Sequence, residues 1–181
     1  MNTRNLTKRS PLPSEEVVME AIVAVYSDWG IGDGITQPVT LKADRQHFRE
    51  ITQDAAVIVG RKTLEDFPGG RPLKGRVNIV VTRQQITIPG AFVACSPEAA
   101  LQLAAQFSRC LVIGGASIYE QFFPYINKVY ITRIGCCPPS VRFFPDLDRE
   151  EGWACTEEGP LLEEEGIPYR FCIYEKRSSS C

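Results

Sequence analysis

Three short stretches of this chain combine residue types that could do chemistry. In Gly60-Arg61-Lys62-Thr63 an apolar run closes on a glycine and is followed by two cations and a hydroxyl. Read as a strand turning into a helix, this puts two positive charges where the helix macrodipole is already positive, which is easier to explain if an anion sits between them. In Val112-Ile113-Gly114-Gly115-Ala116-Ser117 an apolar strand again meets glycine before a helix start. Free backbone N–H groups there could hold a pyrophosphate, and a tight strand-to-helix turn would account equally for two adjacent glycines. The third is Asp44, which opens a helix whose next turn carries Phe48 on an apolar face. An N-cap is the ordinary role of an aspartate in that place, and residue type alone carries the reading no further.

Charge distribution adds weight to an anionic ligand. Between Gly60 and Arg83 the bases Arg61, Lys62, Arg71, Lys74, Arg76 and Arg83 outnumber the acids Glu65 and Asp66, although the formal net charge of the chain is −2. A local basic patch on an acidic protein suits a small polyanion better than a nucleic acid, and a solvated surface explains it as well on charge alone. Two other glycine patterns fail. Gly30-x-Gly32-x-Gly34 opens no convincing helix, and Gly70 and Gly75 are followed by Arg76-Val77 where a phosphate-binding P-loop needs Lys-Ser or Lys-Thr. The seven cysteines show no C-x-x-C spacing and come with a single histidine, His47, so neither a metal site nor a disulfide framework is indicated. Most of these cysteines lie beside apolar residues and read as small buried hydrophobes, which implies a reducing, cytoplasmic compartment.

These stretches need strands and helices to hold them. Glu20 to Ser27, Ala55 to Val59, Arg76 to Thr82, Cys110 to Ile113 and Lys128 to Ile134 read as strands, with Trp153 to Thr156 and Tyr169 to Glu175 as two final strands joined by an acidic loop. Helices are expected over Asp44 to Thr52, Lys62 to Phe67, Ala116 to Phe123 and after Ser96-Pro97-Glu98, where serine can cap and proline fits the first turn. Strand and helix alternate until the strand-rich last third. The expected fold is therefore α/β: a single domain with a central, mostly parallel mixed β-sheet flanked by helices and antiparallel strands at its C-terminal end.

A chain of 181 residues suffices for one such domain with a sizeable core. Residues 1–16 read as a flexible polar tail without the apolar stretch of a secretory signal, residues 17–177 as the domain, and residues 178–181 as a short C-terminal tail. The longest apolar run, Ala21 to Tyr26, is far too short to span a membrane as a helix.

Taken in order, the segments resemble the dihydrofolate reductase family over nearly the whole chain. The resemblance rests on Ala24-Val25 through Gly30-Ile31-Gly32, Leu41-x-x-Asp44-x-x-x-Phe48, Val59-Gly60-Arg61-Lys62-Thr63 and Gly70-Arg71-Pro72-Leu73-x-Gly75-Arg76-x-Asn78. It continues through Val112-Ile113-Gly114-Gly115-x-x-Ile118-Tyr119, Tyr130-Ile131-Thr132 and Phe144-Pro145-Asp146. It implies NADPH-dependent reduction of 7,8-dihydrofolate to tetrahydrofolate, hydride passing to C6 and a proton to N5. Asp44 then resembles the carboxylate that grips the pterin and promotes that protonation, with Thr132 as its hydroxyl partner. Ile22, Val23, Ala24, Phe48, Ile113 and Tyr119 resemble the substrate pocket, and Arg76 the clamp on the glutamate α-carboxylate.

Cofactor contacts implied by the resemblance are Ala24, Ile31 and Gly32, then Gly60, Arg61, Lys62, Thr63, Thr82 and Arg83, then Ile113, Gly114, Gly115, Ala116, Ser117, Ile118 and Tyr119. The family has a cis Gly-Gly bond at the position of Gly114-Gly115, and a mobile loop at Gly30 to Val39. Partners implied are dihydrofolate and antifolate-type small molecules, with no nucleic acid, no membrane and a monomeric state. The chemistry asks for such residues independently, because an imine accepts hydride more readily once its nitrogen is protonated and a guanidinium pairs well with a carboxylate. The chain departs from the family at Val39, where a tryptophan is usual, at Lys42, usually proline, and at Arg45, commonly apolar. Two other readings compete: the pyrimidine reductase of riboflavin synthesis, which lacks the Leu-x-x-Asp-x-x-x-Phe segment, and a catalytically idle NADPH-binding module of the same fold.

Overall fold

A computed structural model describes residues 19–178, so the tails expected at 1–16 and 178–181 lie outside it apart from Ser178. The strands are β1 (Met19–Val25), β2 (Ala56–Gly60), β3 (Val77–Val81), β4 (Ala91–Ala94), β5 (Cys110–Gly114), β6 (Ile126–Ile134), β7 (Trp153–Glu158), β8 (Leu162–Glu164) and β9 (Ile167–Lys176). The helices are α1 (Lys42–Thr52), α2 (Arg61–Glu65), α3 (Pro97–Ala104) and α4 (Ala116–Phe122). All strands join one sheet in the order β4-β3-β2-β5-β1-β6-β9-β7, with β8 pairing β9. The pairs from β4 to β6 are parallel and those made by β9 are antiparallel, as the alternating pattern and the strand-rich tail imply.

Burial explains why the central strands are apolar throughout. Met19, Ala21, Val23 and Val25 of β1 pack into a core on one face with Ile58, Val112, Ile131 and Phe122. Ile22 turns to the other face with Val57, Leu111 and Ile113, and Ala24 joins a third cluster with Leu41 and Tyr169. A parallel sheet covered on both sides demands this composition, which is why β1, β2, β3 and β5 are legible from apolar runs.

The chain leaves β1 for β2 through α1 while β5 fills the gap between them, so the sheet order reverses beside β1. In open α/β sheets ligands bind outside the carboxyl ends of strands at such a reversal. Val25, Gly60 and Gly114 end their strands there.

Two strands escape the sequence pattern. β4 is four residues at the sheet edge with Phe92 facing solvent, and β8 is three residues inside the acidic loop, each too short for an alternation to register. Ser96 caps α3 as expected, its Oγ accepting from the Ala99 N–H at 3.1 Å. The cysteine expectation needs correction. Of the six described, all free, only Cys110 and Cys172 are buried, whereas Cys95, Cys137 and Cys155 are exposed and Cys136 is intermediate. Cys95 and Cys137 lie outside strands and Cys155 is on β7, near the sheet edge, so apolar neighbours in sequence did not entail burial. Among the described residues no group of side chains is suited to a metal ion, and no helix is long and apolar enough to cross a membrane.

Candidate active site

Asp44 lies in the first turn of α1, two residues inside the helix, and is not its N-cap. That position belongs to Leu41, whose side chain makes no capping bond. The Asp44 carboxylate is turned instead toward the sheet, where the Thr132 hydroxyl donates to its Oδ1 at 2.6 Å. Thr132 reaches this place because β6 runs parallel to β1 with Ala24 and Thr132 in register. Burial is the largest influence on the carboxyl and pushes its pKa above the ordinary range. The Thr132 bond and the charges of His47 and Arg45 act against that shift, and Glu164 adds to it. A carboxyl so placed holds its proton to higher pH than a solvated aspartate.

Phe48, one turn along the same helix, packs with Ile22, Val57 and Ile113. Ile22 and Tyr119 are bound to one another, the buried Tyr119 hydroxyl donating to the Ile22 carbonyl at 2.7 Å. Burial, with Asp44 nearby, pushes the Tyr119 phenol up, so it stays a neutral donor. A cavity of about 130 Å³ opens beside them, lined by Val23, Ala24, Ile31, Gln37, Thr63, Ile113, Gly114, Gly115 and Tyr119. Val23 belongs here in a restricted sense: its side chain packs in the core on the opposite face, so its main chain is what it can offer the cavity.

The small cavity shares Gly34, Ile35, Thr63 and Gly115 with a larger cleft of about 680 Å³. Gly60, Arg61, Lys62, Thr82, Arg83, Ala116, Ser117 and Ile118 line that cleft, so the structure brings together segments far apart in sequence. The Gly114–Gly115 peptide bond is cis. A Cβ on Gly115 would meet the Gly34 carbonyl oxygen at 2.1 Å and Thr63 Oγ1 at 2.9 Å, so only glycine fits where the loop crosses α4. The two cations that start α2 are not equivalent. Arg61 pairs with Glu65 one turn on, which supplies part of the countercharge expected from an anion, whereas Lys62 is exposed; Arg83, after β3, is exposed at the same cleft.

Arg76 lies at the other end of α1 from Asp44. Its guanidinium donates to Thr52 Oγ1 at 3.1 Å, the Arg49 carbonyl at 2.9 Å and the Lys74 carbonyl at 2.6 Å. Those bonds fix the fork against the last turn of the helix. A carboxylate arriving there would meet a preoriented partner.

The loop from Gly30 to Val39 contains the contacts that sequence reasoning missed. The Gln37 amide donates to the Ala24 carbonyl at 2.7 Å, at the wall of the small cavity. Tyr26, fully buried, accepts from the Val39 N–H and donates to the Val39 carbonyl, both at 2.9 Å. The loop base is tied to the segment near Ser140, with Ser140 Oγ accepting from Gly32 N and the Gly32 carbonyl accepting from Val141 and Arg142. His47 stacks on Phe171 of β9 with ring centroids 4.1 Å apart, and burial holds its pKa below the ordinary value. No motif marks Tyr26, Gln37 or His47, because each acts through contacts made only when the chain is folded.

A buried acid close to Tyr119 of a small cavity, which shares its wall with a cationic cleft at the carboxyl ends of parallel strands, suits hydride delivery from a bound nucleotide. It places the protein among the α/β oxidoreductases. The family model for dihydrofolate reductase matches residues 18–176. Dihydrofolate reductase of Bacillus subtilis (strain 168) is 37% identical over 162 residues, covering 88% of this chain and 95% of that protein. The Rattus norvegicus enzyme is 35% identical over 182 residues, covering 88% and 97%. A solved structure of dihydrofolate reductase from Enterococcus faecalis, complexed with NADP(H) and RAB-propyl, aligns with a TM-score of 0.80 at 26% identity, covering 90% of this chain and 98% of that one. The chain belongs to the dihydrofolate reductase family, and its activity is the NADPH-dependent reduction of dihydrofolate to tetrahydrofolate. The readings as a pyrimidine reductase or an idle binding module are set aside.

Proposed function

We propose that Asp44 and Thr132 carry the proton side of this reaction and that the pterin lies along Ile22, Ala24, Phe48, Ile113 and Tyr119. The observation that carries this reading is the 2.6 Å bond from Thr132 to a carboxylate whose pKa burial has raised. Bound NADPH supplies the hydride that C6 accepts. Asp44 holds the amino edge of the pterin and, by retaining or organising a proton near N5, makes the imine a better acceptor. Thr132 keeps the acceptor oxygen of Asp44 in one orientation. The apolar walls exclude water, which strengthens these polar contacts.

The residues that line the cleft fit a dinucleotide. Gly115 lets the Gly34 loop close against the start of α4 at the cleft wall, and Arg61, Lys62, Thr63 and Arg83 offer cations and a hydroxyl for phosphates, including a 2′-phosphate. Thr82, Gly60, Ala116, Ser117 and Ile118 complete the walls, with Ile31 and Gly32 at the loop base. Arg76 receives the glutamate carboxylate. The same slot accepts antifolates that present an amidine-like edge to Asp44. One chain supplies every residue named, so a monomer suffices, and the free thiols fit the cytoplasm.

Following NADPH absorbance at neutral pH with dihydrofolate, for the wild type and Asp44→Asn, tests the reading. The wild type turns over and the variant is slowed by about 10²–10⁴. A variant with wild-type turnover would remove Asp44 from the reaction.

A further inference from the structure

The N-terminus of α1 has no cap of its own. Leu41 cannot accept a hydrogen bond through its side chain, and Lys42 has a backbone N–H that a proline would lack. Both needs are met from the far end of the chain. Glu164 Oε2 accepts from Lys42 N at 2.7 Å and Oε1 accepts from Ala43 N at 3.0 Å, across 122 and 121 residues of sequence. Both carboxylate oxygens are thus engaged with the turn that carries Asp44.

Glu164 is held there by a tight hairpin. It pairs with Ile167 across Glu165 and Gly166, whose φ values of 50° and 79° are those of a two-residue type I′ turn. The same β9 strand sets Phe171 opposite Thr132 in register and stacks Phe171 on His47 of α1. Asp44 is therefore fixed from two sides, by Thr132 on β6 and by the β8–β9 hairpin through the first turn of its own helix.

We infer that Glu164 is a positioning residue for the reaction: a remote carboxylate cap that orients the first turn of α1 and offsets the positive field of the helix N-terminus at Asp44. Without that offset the helix end would favour the ionised form of Asp44. The groups facing Asp44 are Arg45 and His47 on α1, Thr132 on β6, Glu164 on β8 and the Tyr119 phenol on α4. Among them Glu164 is the only acid, and its charge favours the protonated carboxyl. The inference rests on Asp44 being the acid of the proposed site.

The test compares Glu164→Ala, Glu164→Gln and Asp44→Asn by single-turnover hydride transfer from pH 5 to 9, with NADPH affinity measured by fluorescence. Glu164→Ala should slow hydride transfer about tenfold and lower the midpoint of its pH profile by about 0.2–0.7 unit. Glu164→Gln keeps one acceptor but no charge, so it should recover much of the rate while the midpoint stays lowered. NADPH affinity should hold within about twofold in both, since the cleft is untouched. A midpoint unmoved in both variants overturns the inference, whatever happens to rate or melting temperature. If Asp44→Asn reacts like the wild type, the site reading itself has failed. If Asp44→Asn is slowed and the Glu164 variants match the wild type, only the role of Glu164 falls.

Discussion

The hydroxyl of Tyr26 lies between both backbone polar groups of Val39, accepting from the N–H and donating to the carbonyl at 2.9 Å each. The side chain of Val39 cannot hydrogen-bond, so this tie through the main chain holds the end of the loop to the residue that follows β1. Tyr26→Phe deletes both bonds at a fully buried position. It should lower unfolding free energy by about 1–3 kcal/mol in urea titrations. An unchanged urea midpoint would show that water replaces the hydroxyl without cost.

Asp44→Asn should also change how stability depends on pH. A carboxyl whose folded pKa is raised contributes most below its unfolded pKa, and the contribution is lost as pH rises through the folded value. The amide does not titrate. The melting temperature of the variant relative to the wild type should therefore improve from pH 4 toward pH 7, while its turnover improves in the opposite direction as solvent protonates the substrate. A pH-independent difference in melting would contradict the raised pKa.

How much of this could be read beforehand depends on how far each feature reaches along the chain. Covered parallel strands announce themselves as apolar runs, and Gly114-Gly115 lies between a strand and a helix within one short window. The Asp44–Thr132 bond joins residues 88 apart, so it was available only through the resemblance. Gln37, Tyr26 and Glu164 were missed because their partners are backbone atoms, which carry no residue-specific signal. Asp44 looked like an N-cap for the opposite reason: local propensity is right for the residue type, and Glu164 supplies the cap from elsewhere.

Arg83→Ala should raise KM for NADPH about tenfold and leave KM for NADH within about twofold, because only the former has a 2′-phosphate to pair. The low end of charge-assisted bonding applies, since Arg83 is exposed. Arg61→Ala should cost less, as its charge is shared with Glu65. Equal effects on both cofactors would move these residues away from the 2′-phosphate.

Arg76→Leu should raise KM for dihydrofolate by about tenfold or more with kcat little changed, because the glutamate tail is bound alike in ground and transition states. It should also destabilise the fold, since three bonds to Thr52, Arg49 and Lys74 are lost. A pterin substrate lacking the glutamate tail should show no such KM change. If it did, the defect would lie in the helix and not in carboxylate binding.

Gly115→Ala should abolish most NADPH binding and lower the melting temperature, because the added methyl would overlap the Gly34 carbonyl. Isothermal titration with NADPH reads the first effect directly. Retained affinity would mean that the loop yields to the methyl.

The helix that carries Asp44 near its start and anchors Arg76 at Thr52 near its end also works as a ruler. Eight residues at 1.5 Å each set about 12 Å between the two anchoring positions along its axis. A ligand long enough to engage both ends gains from each attachment at once, whereas a fragment spanning one end gains from one alone. Resistance should divide along the same axis: changes near Arg76 leave short inhibitors untouched, and changes near Asp44 weaken short and long inhibitors alike.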